Sequence, residues 1–424
     1  MASPAGSGAG KVNDRTDRTS PKAAFALVLS GTVIGIAGTD LILPAIPGLP
    51  VALGGTPATA QLVLAAFVAG AGLGLLLFGE LGARHDQPRL LALSLFAYAA
   101  VSAGCGQAES IEWLVGLRFL QGAAGAAAAV FAPGLIRAGF PPETVVRALG
   151  LLGSIESIVP ALAPVAGLWL LAWWGWQGSF DLIAVLAFAL AVLVAALRDR
   201  FPKPARATRT GGYGVLLRDP VFLRYALSQA FTLGGLLTFV FGAPVVIVSA
   251  MGGTLTDFVI MQISGIVFFA VAANHAGKLA ARFGTEHMIL FGSMVSAAGT
   301  LALLAYALAG GTWPGMLAIL FVPVNLGLGL RGPPGFMQAV IAAHGDDARG
   351  SALVILFILL TAAGGTAAAA PFIMAGLPAL AGFAAGISVA SVLCLLALPK
   401  LQAGSSSAET VSSIQPPPST RSPS

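Results

Sequence analysis

Three charged residues lie inside otherwise apolar stretches of the sequence: Asp40, Arg118 and Glu156. A carboxylate can take up and release a proton, and a guanidinium can serve as its counter-charge. Ionisable groups are costly in hydrocarbon, so those found there are candidates for proton coupling or substrate binding. The three residues therefore predict a proton or substrate site within an apolar protein.

The composition predicts that this apolar protein is embedded in a membrane. Of 424 residues, 57% are hydrophobic and only 9% are charged, whereas soluble domains contain about 25% charged residues. Apolar segments of about 20 residues, long enough to cross a bilayer, recur along the chain. We predict an all-α integral membrane protein with twelve transmembrane helices. The predicted spans are 23–44, 58–79, 90–107, 112–135, 147–172, 178–197, 221–248, 256–276, 287–308, 313–332, 351–374 and 377–398.

The basic residues predict the orientation of these spans. All Lys and Arg residues outside the spans fall in loops on one side, and the opposite loops contain none. Such loops are typically cytoplasmic, so we expect both termini in the cytoplasm. The net charge of +5 then reflects topology, and we expect no nucleic-acid binding. The basic residues in the predicted cytoplasmic loops and tails are Lys11, Arg15, Arg18, Lys22, Arg84, Arg89, Arg137, Arg147, Arg198, Arg200, Lys203, Arg206, Arg209, Arg218, Lys278, Arg282, Arg349, Lys400 and Arg421.

A long basic loop divides the spans into two sets of six. We predict one six-helix bundle over 23–197, a cytoplasmic linker over 198–220, and a second bundle over 221–398. The sequence "GELGAR" after the second span is echoed by "GKLAAR" after the eighth. Parallel repeats of this kind are typical of transporters, whose substrate site lies between the halves. The polar segments 1–22 and 399–424 predict disordered cytoplasmic tails.

Counting along the helices places two of the charged residues at one depth. At 1.5 Å per residue, Asp40 lies about 25 Å from the cytoplasmic end of the first span and Arg118 about 9 Å from the outer end of the fourth. Both positions fall in the outer part of the bilayer. We expect Asp40 to carry a proton or contact substrate, with Arg118 as its partner. The alternative is a structural ion pair, or a helix cap at the break before Pro44 and Pro47.

Glu156 is the deepest of the three charges, about 14 Å along the fifth span and close to the midplane. It could be a second protonation site or bind a cationic group of the substrate. The alternative is a neutral acid that hydrogen-bonds to Ser154 or Ser157.

Three further polar residues fall within spans. Gln121, one turn from Arg118, and Asn325 are candidates for the lining of a cavity. Arg331 lies about 27 Å along the tenth span, at its predicted cytoplasmic edge. We expect its side chain to extend to the interface, as long basic side chains do.

Several motifs, taken in order, resemble one family. They are "DLILPAIP" (Asp40–Pro47), "QLVLAAFVAGAGLGLLLFGELGAR", "LRFLQGAAGAA" (Leu117–Ala127) and "PALAPVAGLWLLAWWGWQGSF". The chain is similar to the major facilitator superfamily, and its first half resembles the bicyclomycin and chloramphenicol resistance (Bcr/CflA-like) drug/proton antiporters. The resemblance covers residues 25–195 closely and implies twelve helices in two six-helix bundles. Over 220–398 it rests on the loop echo and the number of spans.

The resemblance also implies roles for two groups of residues. Pro160, Pro164 and Gly167 are expected to shape the fifth helix, and Pro164 with Gly167 match the antiporter motif, a segment that limits leakage between the two faces. The loop after the second span matches a motif that gates the inner mouth, although Ala83 replaces its usual acid and Asp86 is the nearest substitute. The alternative for this loop is ordinary membrane topology. The gate residues are Gly79, Glu80, Arg84, Asp86 and Arg89.

Other classes of chemistry have no motif here. The sequence shows no phosphate-binding glycine loop, nucleophile elbow or zinc signature, and its four histidines do not pair with Cys or Asp at ligand spacing. We expect neither enzymatic activity nor a cofactor. Cys105 and Cys394 are predicted on opposite faces of the membrane, too far apart for a disulfide.

These observations predict a secondary active transporter, a proton-coupled antiporter that exports small amphipathic molecules such as drugs by alternating access. We expect a monomer that interacts with its substrate, protons and the lipid bilayer. One alternative is an exporter of a specific metabolite such as a siderophore, and another is a proton-coupled importer. A hypothesis from another class is a membrane sensor that transports nothing, but no segment outside the spans is long enough for a soluble sensor domain.

Overall fold

The computed structural model describes residues 21–202, 213–343 and 347–401, and all regular structure within them is helical. The predicted all-α class is confirmed. Short 3₁₀ turns occupy Leu43–Gly48, Arg198–Arg200 and Ala370–Ala375, and a π turn occupies Val246–Ala250. The α-helices are α1 (Pro21–Asp40), α2 (Leu49–Leu53), α3 (Pro57–Arg84), α4 (Gln87–Gly106), α5 (Ile111–Gly125), α6 (Ala127–Gly139), α7 (Pro142–Trp174), α8 (Gln177–Leu197), α9 (Tyr213–Leu216), α10 (Pro220–Val245), α11 (Leu255–Phe283), α12 (Thr285–Leu308), α13 (Pro314–Ile341), α14 (Asp347–Ala369) and α15 (Leu377–Ala397).

Eleven helical stretches of the described chain are long and apolar enough to cross a bilayer. They correspond to eleven of the twelve predicted spans. The predicted fifth span lies within α7, which has 33 residues and contains the apolar segment Ile158–Trp174.

Several helices run beyond the ends predicted for their spans. α3 continues to Arg84, α11 to Phe283 and α13 to Ile341. Apolar composition marks where a helix leaves hydrocarbon, but backbone hydrogen bonding continues into the polar interface. The largest difference is in α13, which extends nine residues past the predicted end at residue 332 and passes through Pro333 and Pro334. Membrane helices tolerate such prolines because neighbouring helices satisfy the backbone groups that proline leaves free.

The ends of the chain and part of the predicted linker lie outside the described residues. The tails predicted at 1–22 and 399–424 fall mostly outside, at 1–20 and 402–424, and so do linker residues 203–212. The described part of the linker contains the turn Arg198–Arg200 and the short helix α9.

The two parts of the chain use the same helix pairings. In the first part α3 packs along α5, α4 packs along α8, and α1 packs against α7 and α8. In the second part α11 packs along α13, α12 packs along α15, and α10 packs against α14 and α15. Each pairing recurs at the equivalent position in the second set of spans, as expected for a parallel structural repeat.

Contacts between the two parts involve a small set of helices. α3 packs against α14, and α7 packs against α11. The turn Leu43–Gly48 contacts α10, and the turn Ala370–Ala375 contacts α3. We call the membrane face where α1 begins and α3 ends the basic face, and the other the opposite face. Both turns lie towards the opposite face, so the parts touch there as well as along their helices.

Glycines allow α3 and α5 to approach backbone to backbone. A Cβ atom on Gly70 would lie 1.9 Å from the Phe119 carbonyl oxygen, and one on Gly122 would lie 1.9 Å from the Phe67 carbonyl oxygen. Small residues commonly permit such close packing between membrane helices. The reciprocal contact fixes the distance between α3 and α5.

We expect Gly122→Ala to destabilise the protein, because the added methyl group overlaps the backbone of α3. Overpacking of this kind costs about 1–3 kcal/mol, which a lower thermal melting temperature in detergent would report. Gly116→Ala is the matched control, since Gly116 lies on the same helix and an added Cβ meets no atom within 4 Å. Equal melting temperatures for the two variants would contradict the prediction.

Candidate functional site

Asp40 is the last residue of α1, and its side chain is 7% exposed. The helix ends there because Pro44 has no N–H group to donate to the Asp40 carbonyl four residues earlier. The chain continues as the 3₁₀ turn Leu43–Gly48, where Ala45 N–H donates to the Ile42 carbonyl (2.9 Å). The carboxylate therefore sits at a break in a membrane helix.

Two other helices hold the chain at this break through the Leu41 carbonyl. Ser179 on α8 donates a hydrogen bond to it at 3.1 Å. Gly167 on α7 lies against the same group, because a Cβ atom there would come within 2.2 Å of the Leu41 oxygen. Gly167 therefore allows α7 to pack closely against the residue after Asp40.

Arg118 on α5 is fully buried, and it binds neutral groups from three helices. Its Nη1 donates to the Gly38 carbonyl at 2.8 Å, and its Nε donates to the Val63 carbonyl at 3.3 Å. The guanidinium also lies over the Phe67 ring, 4.1 Å from its centroid. The side chain thus joins α5 to the end of α1 and to α3.

Gln121 orients Arg118 from one turn along α5. Its Oε1 accepts a hydrogen bond from Arg118 Nη1 at 2.6 Å, while its Nε2 donates to Ser102 Oγ at 2.7 Å. Ser102 in turn donates to the Tyr98 carbonyl at 2.6 Å. Gln121 is fully buried, so in this conformation it contacts the guanidinium and does not face an open cavity.

Asp40 and Arg118 lie in one region, as the depth count predicts, but not as a contact ion pair. No salt bridge within 4.0 Å joins the two residues, both of which the structure describes. They are nevertheless close enough to interact electrostatically, and Arg118 binds the Gly38 carbonyl two residues before the acid. Their charges are coupled without being neutralised by direct contact.

Glu156 on α7 is half-buried and faces α1. Its carboxylate lies within hydrogen-bonding reach of the Thr32 side chain, and Thr32 Oγ1 also donates to the Leu29 carbonyl at 2.9 Å. The side chains of Ser154 and Ser157, the alternative partners considered above, lie outside the described residues. Glu156 is therefore placed between α7 and α1, apart from the Arg118 cluster.

The remaining candidates are held within helices. Pro160 and Pro164 lie inside α7 and do not interrupt its assigned span. Asn325 on α13 is 4% exposed, and its Nδ2 donates to the Phe321 carbonyl at 3.0 Å. A Cβ atom on Gly265 of α11 would come within 2.6 Å of that nitrogen. Asn325 thus lies at the tight contact between α13 and α11.

The predicted inner gate is exposed, and its ion pairs are local. Arg84 pairs with Glu80 one turn away at 2.5 Å, and Arg89 pairs with Asp86 at 3.7 Å. Asp86 also caps α4 by accepting from the Arg89 backbone N–H at 3.3 Å. Exposed pairs of this type contribute about 0–1 kcal/mol. Neither pair connects the two parts of the chain in this conformation.

Gly79, the first residue of the gate motif, faces the linker. A Cβ atom on it would lie 3.7 Å from the Tyr213 hydroxyl of α9. The linker helix therefore lies beside the end of α3 at the basic face.

The expected position of Arg331 is wrong. The side chain is fully buried and does not extend to the membrane interface. Because α13 continues ten residues past it to Ile341, Arg331 lies about 15 Å above the end of the helix. The prediction failed because Pro333 and Pro334 were read as the end of the span, whereas the helix passes through both.

A second buried arginine was missed. Arg224 on α10 pairs with Glu286 at 2.9 Å and donates to the Leu398 carbonyl at 2.6 Å. Tyr225 also hydrogen-bonds to Glu286. The signal was present in "RYALSQAFT", where polar residues recur at helical spacing and mark one polar face of α10.

The residues described above include no group of three or more His, Cys, Asp or Glu side chains that could hold a metal ion. The site is built from one buried acid, buried guanidinium groups and hydroxyl or amide partners. Such an arrangement can exchange protons and bind polar groups.

The sequence matches the family model of the Major Facilitator Superfamily over residues 28–369. This chain belongs to the major facilitator superfamily. The match covers both parts of the molecule, including the second half, where the sequence motifs were weak. Members of the superfamily are transporters as a class.

Relatives in the superfamily carry names linked to drug resistance. A chloramphenicol resistance protein of Pseudomonas aeruginosa is 30% identical over 66% of this chain and 68% of its own length. A bicyclomycin resistance protein homolog of Haemophilus influenzae is 23% identical over 71% of this chain and 78% of its own. The multidrug resistance protein MdtL of Klebsiella pneumoniae is 27% identical over 64% and 69%, respectively. These names confirm the resemblance drawn from the first-half motifs.

A solved structure supports the fold. The crystal structure of a D-xylose–proton symporter superposes with a TM-score of 0.66 and 15% identity, covering 90% of this chain and 99% of the symporter. At this identity the likeness concerns the fold alone.

We expect Gln121→Leu to destabilise this superfamily member, because Arg118 Nη1 loses an acceptor in a place that water does not reach. Loss of one partner of a buried hydrogen bond costs about 1–3 kcal/mol. Gln121→Glu is the matched variant, because it retains an acceptor oxygen for the guanidinium. The thermal melting temperature of Gln121→Leu should be lower than that of Gln121→Glu. A higher melting temperature for Gln121→Leu would show that Arg118 does not depend on this contact.

Proposed function

We propose that the protein is a proton-coupled antiporter that exports small amphipathic molecules from the cytoplasm by alternating access. In this proposal twelve spans form two six-helix bundles in the bacterial inner membrane, with α7 as the fifth span. The recurring helix pairings support two equivalent bundles. The basic loops support a cytoplasmic location for the basic face and both termini.

The burial of Asp40 is the observation that supports this proposal most strongly. Asp40 is the only buried carboxylate among the side chains that the structure describes. It lies at a helix break and near an arginine that neutral groups already hold in place. A carboxylate in this position can change its protonation without dismantling the Arg118 cluster.

Coupling requires that protonation favours one conformation over another. We propose that protons enter from outside and neutralise Asp40, which weakens its attraction to Arg118 and favours the conformation open to the cytoplasm. Substrate then binds from the cytoplasmic side, and release of the proton there favours the return. The break after Asp40 rests on α7 and α8 through Leu41, so movement at Asp40 is transmitted to both helices.

The names of the relatives support export. Proteins named for resistance to chloramphenicol and bicyclomycin indicate small organic molecules as the class of substrate to test first. We further propose that the exposed pairs Glu80–Arg84 and Asp86–Arg89 exchange partners when the basic face closes, since gating contacts must differ between the two states.

We expect Asp40→Asn to abolish proton-coupled export, reducing substrate-dependent proton movement by about a hundredfold or more, the scale typical for loss of a positioned proton-transfer group. The measurement uses everted membrane vesicles with an imposed pH gradient and chloramphenicol as the first substrate. Glu112→Gln is the control, because Glu112 is an exposed acid in the first turn of α5. Intact proton-coupled efflux in Asp40→Asn would refute the assignment of Asp40.

We expect Glu156→Gln to flatten the dependence of efflux on pH, because it removes a half-buried acid that is able to titrate within the membrane. Its hydrogen-bonding reach to Thr32 is kept by the amide, so the fold should be preserved. Efflux rates measured from pH 6 to 8, together with the range of substrates, test the role of this acid. An unchanged pH profile and an unchanged substrate range would together make Glu156 a structural residue.

A further inference from the structure

The second part of the molecule contains a buried cation with no carboxylate partner in the described chain. Arg331 is fully buried, and no ion pair joins it to a described acid. The two other fully or nearly fully buried arginines differ in this respect, since Arg224 pairs with Glu286 and Arg118 interacts with Asp40. A buried charge without compensation is strongly unfavourable. Arg331 is therefore a candidate for binding an anion.

One edge of the Arg331 guanidinium is occupied by neutral oxygens of α10. Its Nη1 donates to the Ser228 carbonyl at 2.5 Å and to Thr232 Oγ1 at 2.7 Å, and its Nη2 donates to Ser228 Oγ at 3.1 Å. Ser391 on α15 completes this cluster by donating to the Ser228 carbonyl at 2.8 Å. These contacts hold the guanidinium plane in a fixed orientation.

The other edge of the guanidinium is available. Arg331 Nε is buried and has no hydrogen-bond partner. The Nε–H group and one Nη2–H group point in the same direction in any guanidinium, and this pair of donors matches the two oxygens of a carboxylate. While one edge of the guanidinium is bound to α10, the donors of the other edge remain available to bind both oxygens of one carboxylate.

A second unpartnered polar group lies beside this edge. Gln229 on α10 is 5% exposed, and its Oε1 has no hydrogen-bond partner. A Cβ atom on Gly335 would lie 2.8 Å from Arg331 Nη2 and 3.2 Å from Gln229 Oε1. Gly335 therefore lies in close contact with both the Arg331 donor and the Gln229 acceptor, and a side chain there would displace one of them.

Open space lies beside the next residue of α13. Gly332 is buried, yet a Cβ atom on it would meet no atom within 4 Å. Arg331 itself is enclosed in this conformation, and the end of α13 at the basic face lies about 15 Å from it along the helix.

We propose that Arg331 and Gln229 bind a carboxylate group of the transported molecule, with a neighbouring N–H or O–H group of that molecule donating to Gln229 Oε1. The inference rests on the proposed function as an exporter and names a class of substrate for it: small amphipathic acids. Ser228 and Thr232 are positioning residues that orient the guanidinium.

A matched pair of fluorescent probes tests the site. Dansylglycine has a carboxylate next to a sulfonamide N–H group, and dansylglycinamide is the same molecule with a neutral amide. Binding is measured on the purified full-length protein in detergent at pH 7, with no proton gradient. Because a hydrogen-bonded charge pair is lost with the amide, we expect the protein to bind dansylglycine about tenfold or more tightly.

The variants separate the anion site from a purely structural role of Arg331. Gly335→Ala adds a methyl group 2.8 Å from Nη2, which must shift the end of the Arg331 side chain while keeping its charge, and it should remove most of the preference for the carboxylate. Gly332→Ala is the control, since its methyl group meets open space, and it should keep the preference. Arg331→Gln should bind both probes equally, and Arg331→Lys should retain part of the preference through its charge.

Equal binding of the two probes by the unmodified protein would overturn the anion site, and so would a carboxylate preference that survives in both Arg331→Gln and Gly335→Ala. The failure of this inference is distinguishable from failure of the proposed function. Vesicles that export chloramphenicol against a proton gradient while the protein shows no carboxylate preference would overturn the site alone. Vesicles without proton-coupled efflux would overturn the proposed function, whatever the probes show.

Discussion

Backbone polar groups inside a bilayer must find their partners within the protein, and this constraint organises the structure around the break after Asp40. Pro44 leaves the end of α1 without its helical hydrogen bonds, so neighbouring helices supply contacts instead. Ser179 donates to the Leu41 carbonyl, Gly167 allows α7 to press against it, and Arg118 donates to the Gly38 carbonyl. The positions of α5, α7 and α8 around α1 follow from these contacts. The backbone on either side of the acid is therefore part of the packing of its bundle.

The sequence was sufficient for the class of the fold and the position of most helices, because apolar length and the distribution of basic residues reflect the bilayer directly. It also placed Asp40 and Arg118 at a similar depth, since the helical rise is constant. It could not show that Arg118 binds Gln121 and backbone carbonyls in preference to the acid. That outcome depends on side-chain distances between helices, which no periodicity encodes.

The wrong prediction for the position of Arg331 has a different origin. Two consecutive prolines normally indicate the end of a helix, and in a soluble protein the reading of α13 would have been reasonable. Within a membrane bundle, adjacent helices and polar side chains can satisfy the carbonyls that proline leaves free. The polar face of α10, with Ser228 and Thr232, was the signal that a polar partner was needed nearby. Depth counting fails wherever the end of the helix is misread.

Arg118 and Arg331 lie on equivalent spans of the two halves but at different depths. Arg118 lies seven residues after the start of α5, whereas Arg331 lies seventeen residues after the start of α13, a difference of about 15 Å along the helix axis. The repeat therefore supplies two equivalent helices, and the sequences place their charges at opposite ends. In an alternating-access cycle one charge lies nearer each mouth. A proton that reaches Asp40 from one side and an anionic group that reaches Arg331 from the other would then act on different bundles, which allows each to bias the same rocking motion without competing for one site.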